Sequence, residues 1–163
     1  MNSRFLHPGE YFFGVPNHMI TTLLGSCVAL VAWHPERRFT LVSHVILPEI
    51  PDGGDAWDPR YAEVMVERWL ADLRVVGCFP AEFRLGLFGG SSRFFTSGEY
   101  ERSVGFRNVQ RLELLVEQLG LSLQRRDTGG TYHRKLMVDG IKGCYGVQLL
   151  GHPERSMMEI STW

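Results

Sequence analysis

The sequence predicts an α+β fold, with mixed or antiparallel β-sheets flanked by helices. Three observations predict it. Short apolar, β-branched-rich runs lie toward both ends of the 163-residue chain; two stretches with a helical stripe are set among them; and the two kinds do not alternate as a parallel doubly wound sheet would require.

The first strand falls near 18–23. Cys27 to Trp33 and Thr40 to Leu47 follow, separated by His34-Pro35-Glu36-Arg37, which reads as a β-hairpin with strands at 27–33 and 39–47. Pro35 holds φ negative and favours a loop built on a type I turn over the tight primed turns. The Pro/Gly/Asp-rich stretch 48–59 is a loop that could line or cover a site. A helix is expected over 60–74. Glu82 to Phe88 alternates as a half-buried strand and runs into Gly89-Gly90. Val109, Leu112, Val116 and Leu119 form one apolar stripe, and Gly120 sits where a helix stops, so a helix spans about 106–119. A strand at 121–124 leads to a turn at Asp127-Thr128-Gly129-Gly130. Asp139-Gly140, between Leu136–Val138 and Ile141–Leu150, signals a second hairpin. The chain is expected to be one domain, 1–163, with a core over about 10–150 and a C-terminal tail from Gly151.

Composition excludes several functions. A formal charge of −1 supplies no electrostatic footprint for nucleic acid, and no basic tract offsets that. The longest apolar run, Cys27 to Trp33, is too short to cross a bilayer, and the N-terminal residues lack a signal core, so a cytoplasmic, non-inserted protein is expected. Cys27, Cys78 and Cys144 are odd in number and widely spaced, which fits free thiols better than disulfides or a zinc knuckle. The six histidines (His7, His18, His34, His44, His133 and His152) show no metal-ligand spacing. Gly89-Gly90 and Gly129-Gly130 match neither phosphate-loop pattern and read as turns. No cofactor is expected.

The most informative residue is Cys27, in Leu24-Gly25-Ser26-Cys27-Val28. A lone cysteine in an apolar run is commonly core. Here the context also fits a nucleophile. If the hairpin reverses between Pro35 and Glu36, Cys27 and His44 become direct cross-strand neighbours, near enough for an imidazole to take a thiol proton, whereas a slip of one residue would send His44 to the other face. Gly25 and Ser26 allow a sharp backbone before the thiol, so that amides near Cys27 could face a developing oxyanion. A catalytic role predicts a low-pKa thiol alkylated well before Cys78 and Cys144.

Five blocks in order give these residues a family. Thr21 with Gly25-Ser26-Cys27-Val28, then Ser43-His44-Val45-Ile46-Leu47-Pro48, Phe88-Gly89-Gly90 leading to Phe94, Gly105-Phe106-Arg107-Asn108-Val109, and Asp127-Thr128-Gly129-Gly130 followed by Arg134-Lys135 together resemble the chemoreceptor glutamine deamidases known as CheD. The resemblance implies an α/β sandwich related to bacterial toxin deamidases, acting on glutamine side chains in the cytoplasmic helices of chemoreceptors. Carried over by position, it implies Cys27 as nucleophile, His44 as general base and Thr21 as the residue that orients or assists the histidine, with Thr22 an adjacent alternative.

The same resemblance implies a CheC-type phosphatase as a partner, for which Phe94-Phe95 and Phe106 are candidate contacts. Leu23, Thr131 and His133 depart from the family pattern, in which glycine, asparagine and glycine are usual. Two other readings stay open: a non-catalytic adaptor, and a thiol hydrolase acting on receptor methyl esters.

Overall fold

A computed structural model describes residues 2–93 and 97–163. Among the described residues, ten strands make two mixed five-stranded sheets. The first sheet runs in the order β1 (Ser3–Phe5), β3 (Met19–Leu24), β8 (Arg134–Asp139), β9 (Cys144–Leu149), β10 (Glu159–Thr162). The second runs β2 (Tyr11–Gly14), β5 (Thr40–Ser43), β4 (Val28–Trp33), β6 (Arg84–Gly89), β7 (Arg125–Thr128). Helices α1 (Ala62–Val76) and α3 (Val104–Gln118) cover the outer face of the second sheet, and a single turn, α2 (Ser97–Tyr100), precedes α3.

Each layer follows from residue patterning. β4 reads Val-Ala-Leu-Val-Ala-Trp and is buried on both faces down to Ala32. Val28, Leu30 and Ala32 pack under the helices, while Ala29 and Val31 face the other sheet. A strand covered on both sides needs no polar alternation. In β3 only Ile20, Thr22 and Leu24 point inward, leaving Leu23 half exposed. α1 buries Ala62, Met65, Val66, Trp69 and Leu73 along one stripe and ends at Gly77, whose φ of 72° only glycine adopts readily and whose N–H caps the Leu73 carbonyl. Trp69 is fully buried edge-on to Phe83. Trp69→Ala is expected to lower stability by about 3–5 kcal/mol in urea unfolding, because the helix–sheet layer has no other group of that size to fill the cavity.

Several sequence expectations shift. β1 and β2 were not foreseen. β5 ends at Ser43, so that only isolated bridges at Val45 and Leu47 continue it. β7 lies at Arg125–Thr128 rather than 121–124 and pairs parallel with β6, so half of the expected turn is strand. The second hairpin closes through four residues, not two. Asp139 accepts from the Ile141 and Lys142 amides, and Gly143, not Gly140, takes the positive φ. Residues beyond Gly151 include β10, and Trp163 is buried between the sheets. Phe94 and Phe95 lie outside the described residues.

The first hairpin differs most usefully. His34 N–H bonds the Phe39 carbonyl, Arg38 N–H bonds the His34 carbonyl, and Arg38 takes a φ of 60°. His34 Nδ1 accepts both the Glu36 and Arg37 amides. The reversal is therefore centred one residue later than expected, which moves the pairing by two: Val31 faces Val42 and Val28 faces Val45. Extended along the strands, this register puts His44 opposite Ala29 and Cys27 opposite Ile46. Cys27 and His44 are not direct partners. A two-residue shift keeps every side chain on its face, so they remain diagonal neighbours on the inter-sheet side, a spacing of roughly 7–8 Å in a regular sheet.

Candidate functional site

Cys27 lies where the connection from β3 enters β4, half buried at the edge of the inter-sheet core. The connection has little slack. The Gly25 carbonyl accepts from the Ser91 amide at 2.9 Å, the Ser26 carbonyl from Asn108 Nδ2 at 3.0 Å, and the Cys27 carbonyl from the Gly90 amide at 2.9 Å. Gly89 and Gly90, at φ 105° and 73°, end β6 in a form that brings its backbone against the Cys27 carbonyl, where any side chain would collide. The sequence reading of this pair as a turn is corrected: Gly89 is the last residue of β6, paired with Val28 and Thr128, and the chain leaves the sheet at Gly90.

His44 is 1 % exposed. Ser43, just before it, inserts its hydroxyl into the sheet, accepting from Leu30 N–H and donating to the Leu30 carbonyl, both at 3.0 Å. Thr22 reaches across from the other sheet. Its Oγ1 donates to the Leu6 carbonyl at 2.6 Å and lies 2.7 Å from His44 Nδ1. A hydroxyl has one proton, and with that proton on Leu6 the oxygen must accept, so Nδ1 carries the imidazole proton and Nε2 keeps the lone pair. Thr21, the expected partner, is on the outward-facing side of β3 and makes no hydrogen bond to His44. The structure thus assigns the contact to Thr22, because strand alternation turns it inward with Ile20 and Leu24.

Both groups are neutral at neutral pH. Burial drives the His44 pKa down to about 4, with Glu10 opposing and His7 adding to the shift. Burial also pushes the Cys27 thiol up, opposed by its own backbone amide. The expected low-pKa thiol is therefore corrected: Cys27 is not a resting thiolate, and its desolvated position is the cause. The unfolded chain takes a proton on His44 near pH 6.5 and the folded chain only near 4, so stability falls as pH drops through that window. The loss approaches about 3 kcal/mol at its acid end. Urea unfolding at stepped pH values should show this loss, and His44→Gln should remove it.

A cleft of about 690 Å³ opens over Cys27. Its walls come from the Gly25–Cys27 connection, the Ser91-Ser92 segment after β6, the first residues of α3, and Thr131 and His133. The His133 ring lies against Gly25. Hydroxyls of Ser26, Ser91, Ser92, Ser103 and Thr131, with Arg93, are set in a wall that is mainly apolar, which suits an aliphatic stem ending in a small polar group. The 48–59 loop, expected to line or cover the site, contributes none of these wall residues.

The sequence model of the family described as CheD chemotactic sensory transduction matches residues 46–148. A Chromobacterium violaceum protein named probable chemoreceptor glutamine deamidase CheD 1 is 35 % identical over 141 residues, covering 85 % of this chain and 73 % of that protein. Dechloromonas aromatica CheD 3 is 35 % identical over 136 residues (83 % of this chain, 80 % of its own), and the Pseudomonas syringae pv. syringae protein 36 % over 136 (82 % and 77 %), both named probable chemoreceptor glutamine deamidases. The chain belongs to the CheD family.

Of the site residues in this CheD chain, sequence reasoning ranked one second and missed another. Thr22 was held as the alternative and could have been chosen by its parity with Ile20 and Leu24. Asn108 sat in a quoted family block with no role given, and nothing in a helical stripe signals that a buried amide will meet a carbonyl 82 residues away. One cluster away from the cleft also needs explanation. His34, Cys78 and Glu82 bring ligand atoms within 4.8 Å of one another. With His34 Nδ1 taken by two amides, the proton is on Nε2, and the Arg37 guanidinium already donates to the Cys78 sulfur at 3.0 Å. A cation would meet an N–H and an arginine there, so the cluster does not suit one. No described helix is long and apolar enough to cross a membrane.

Proposed function

We propose that this CheD chain is a cysteine-dependent deamidase that converts specific chemoreceptor glutamines to glutamate with release of ammonia, as part of chemotactic adaptation in the cytoplasm. The single observation that carries the reading is a base-competent His44 buried on the same sheet face as Cys27, which itself lines the cleft, in a chain related over most of its length to proteins named for this reaction.

The neutral pair sets the order of proton movements. His44 Nε2 takes the thiol proton as Sγ bonds to the glutamine Cδ, and the carbonyl π electrons move onto oxygen. The resulting oxyanion is held by backbone amides around Ser26 and Cys27. Collapse breaks the C–N bond, and imidazolium returns its proton to nitrogen, which leaves as ammonia. A thioester remains. His44 then takes a proton from water as the water oxygen attacks; a second collapse frees the glutamate side chain, and the proton returns to the sulfur. No step calls on a metal or cofactor.

A glutamine side chain is an aliphatic stem ending in a carboxamide, which fits a cleft whose mainly apolar wall carries hydroxyls beside the sulfur. A CheC-type phosphatase as partner rests on family resemblance, and Phe106, packed edge-on to Tyr100 at the α3 end of the cleft, remains its described candidate contact. The reading is tested by incubating a receptor cytoplasmic fragment with the protein and mapping glutamine-to-glutamate mass changes by peptide mass spectrometry. Site-specific conversion supports it; an unchanged cognate receptor would leave a non-catalytic adaptor or a methyl-ester hydrolase.

A further inference from the structure

The Ser26 carbonyl has a single described partner, and that partner is unusual. Asn108, in the first half of α3, is 0 % exposed, and its Nδ2 donates to two main-chain oxygens from different segments: Ser26 at 3.0 Å and Ile46 at 2.9 Å. One segment carries Cys27 and the other leads out of His44. The amide oxygen, Oδ1, has no hydrogen-bond partner among the described residues. A buried acceptor left bare costs stability, a cost that the two N–H bonds of the same amide offset. What Asn108 uniquely supplies is two N–H bonds from one planar group to two carbonyls.

The peptide plane converts that hold into chemistry. In a trans peptide the carbonyl of one residue and the N–H of the next point in opposite directions, and the described chain has no cis bonds. Fixing the Ser26 carbonyl on α3 therefore aims the Cys27 N–H away from α3, to the side of its own sulfur, where that amide acts on the thiol. The Ser91 amide does the same for the Gly25–Ser26 peptide. Neither the Ser26 nor the Cys27 amide donates to another described backbone group.

We infer that Asn108 is a positioning residue that builds the oxyanion site: by gripping the Ser26 carbonyl it holds the Cys27 N–H aimed into the cleft. The inference rests on Cys27 being the nucleophile of the proposed reaction. α3 is kept close enough for the grip by Gly105, whose missing side chain lets the helix pack on the carbonyls of Gly90 and Ser91.

Two reactions of the same sulfur separate this role from a structural one. Acylation of Cys27 by p-nitrophenyl acetate passes through a tetrahedral oxyanion, whereas alkylation by iodoacetamide does not. In Asn108→Ala, acylation is expected to fall about 30- to 100-fold while alkylation of Cys27 stays within about threefold of wild type. An equal fall in both, or in neither, overturns the inference. Should the alanine variant not fold, Asn108→Asp supplies the second measurement. It matches asparagine in size and regains a donor only when its carboxyl is protonated, so its acylation rate relative to wild type should rise from about pH 8 to about pH 6; a flat ratio overturns the inference. Wild-type protein that is acylated in an Asn108-dependent way yet converts no receptor glutamine upholds the role of Asn108 and overturns the deamidase reading alone.

Discussion

Cys27→Ala is expected to fold as wild type and to convert no receptor glutamine, a loss of about 10⁴-fold or more in turnover. The substitution removes one sulfur from a half-buried position at the edge of the inter-sheet core, and it leaves in place the three carbonyl hydrogen bonds that shape the connection, two from main-chain amides and one from the Asn108 side chain. Mass spectrometry of the receptor fragment, with circular dichroism of the variant beside it, checks both halves. Retained conversion at the same glutamines would mean that another group attacks and that Cys27 belongs to the core. Thermal unfolding should shift little, because no cavity larger than a sulfur is created.

His44→Ala is expected to lower kcat by about 10²- to 10⁴-fold, the range for loss of a general base, with KM for the receptor fragment little changed because the imidazole is buried behind the cleft. The neighbouring threonines give the sharper comparison. Thr22→Val should cost about 10- to 100-fold, since it removes the oxygen that fixes the imidazole tautomer and angle, and Thr22→Ser should restore most of it. Thr21→Val, on the outward-facing side of the same strand, should stay within about twofold of wild type. The reverse order would mean that the cross-sheet hydrogen bond does not serve catalysis. The pH profile of kcat/KM adds a sign. A free enzyme whose His44 protonates only near 4 keeps its activity as pH falls through 6.5 and loses it well below, so an acid limb centred near 6.5 would contradict a desolvated base.

Much of the fold was legible because its signals are local. The continuous apolar run of β4, the stripe of α3 and the glycine stop after it follow directly from periodicity. β1, Ser-Arg-Phe, is exposed along its length and β2 is only half buried, so neither has a pattern to read. The parallel pairing of β7 with β6 depends on where α3 returns the chain, which no four-residue segment encodes. At the site, Cys27 and His44 were found for a sound reason with an inexact register: the hairpin centre moved by one residue because His34 accepts two amides and Arg38 turns left-handed. Face survived because that displacement shifts pairing by an even number. Thr21 was ranked ahead of its neighbour Thr22, and one position inverts the face of a strand.

The hydroxyl that orients His44 belongs to one sheet and the imidazole to the other, with Leu6 on the far side of the same oxygen. The site is thus a gauge of sandwich thickness. A repacking that widens the layer between the sheets by a few tenths of an ångström stretches the Thr22–His44 bond before it breaks any strand pairing. Substitutions at Ile20, Val42 or Val138, none of which touches the cleft, should then register as lost turnover at temperatures where both sheets are still intact, and warming should silence the protein before it melts.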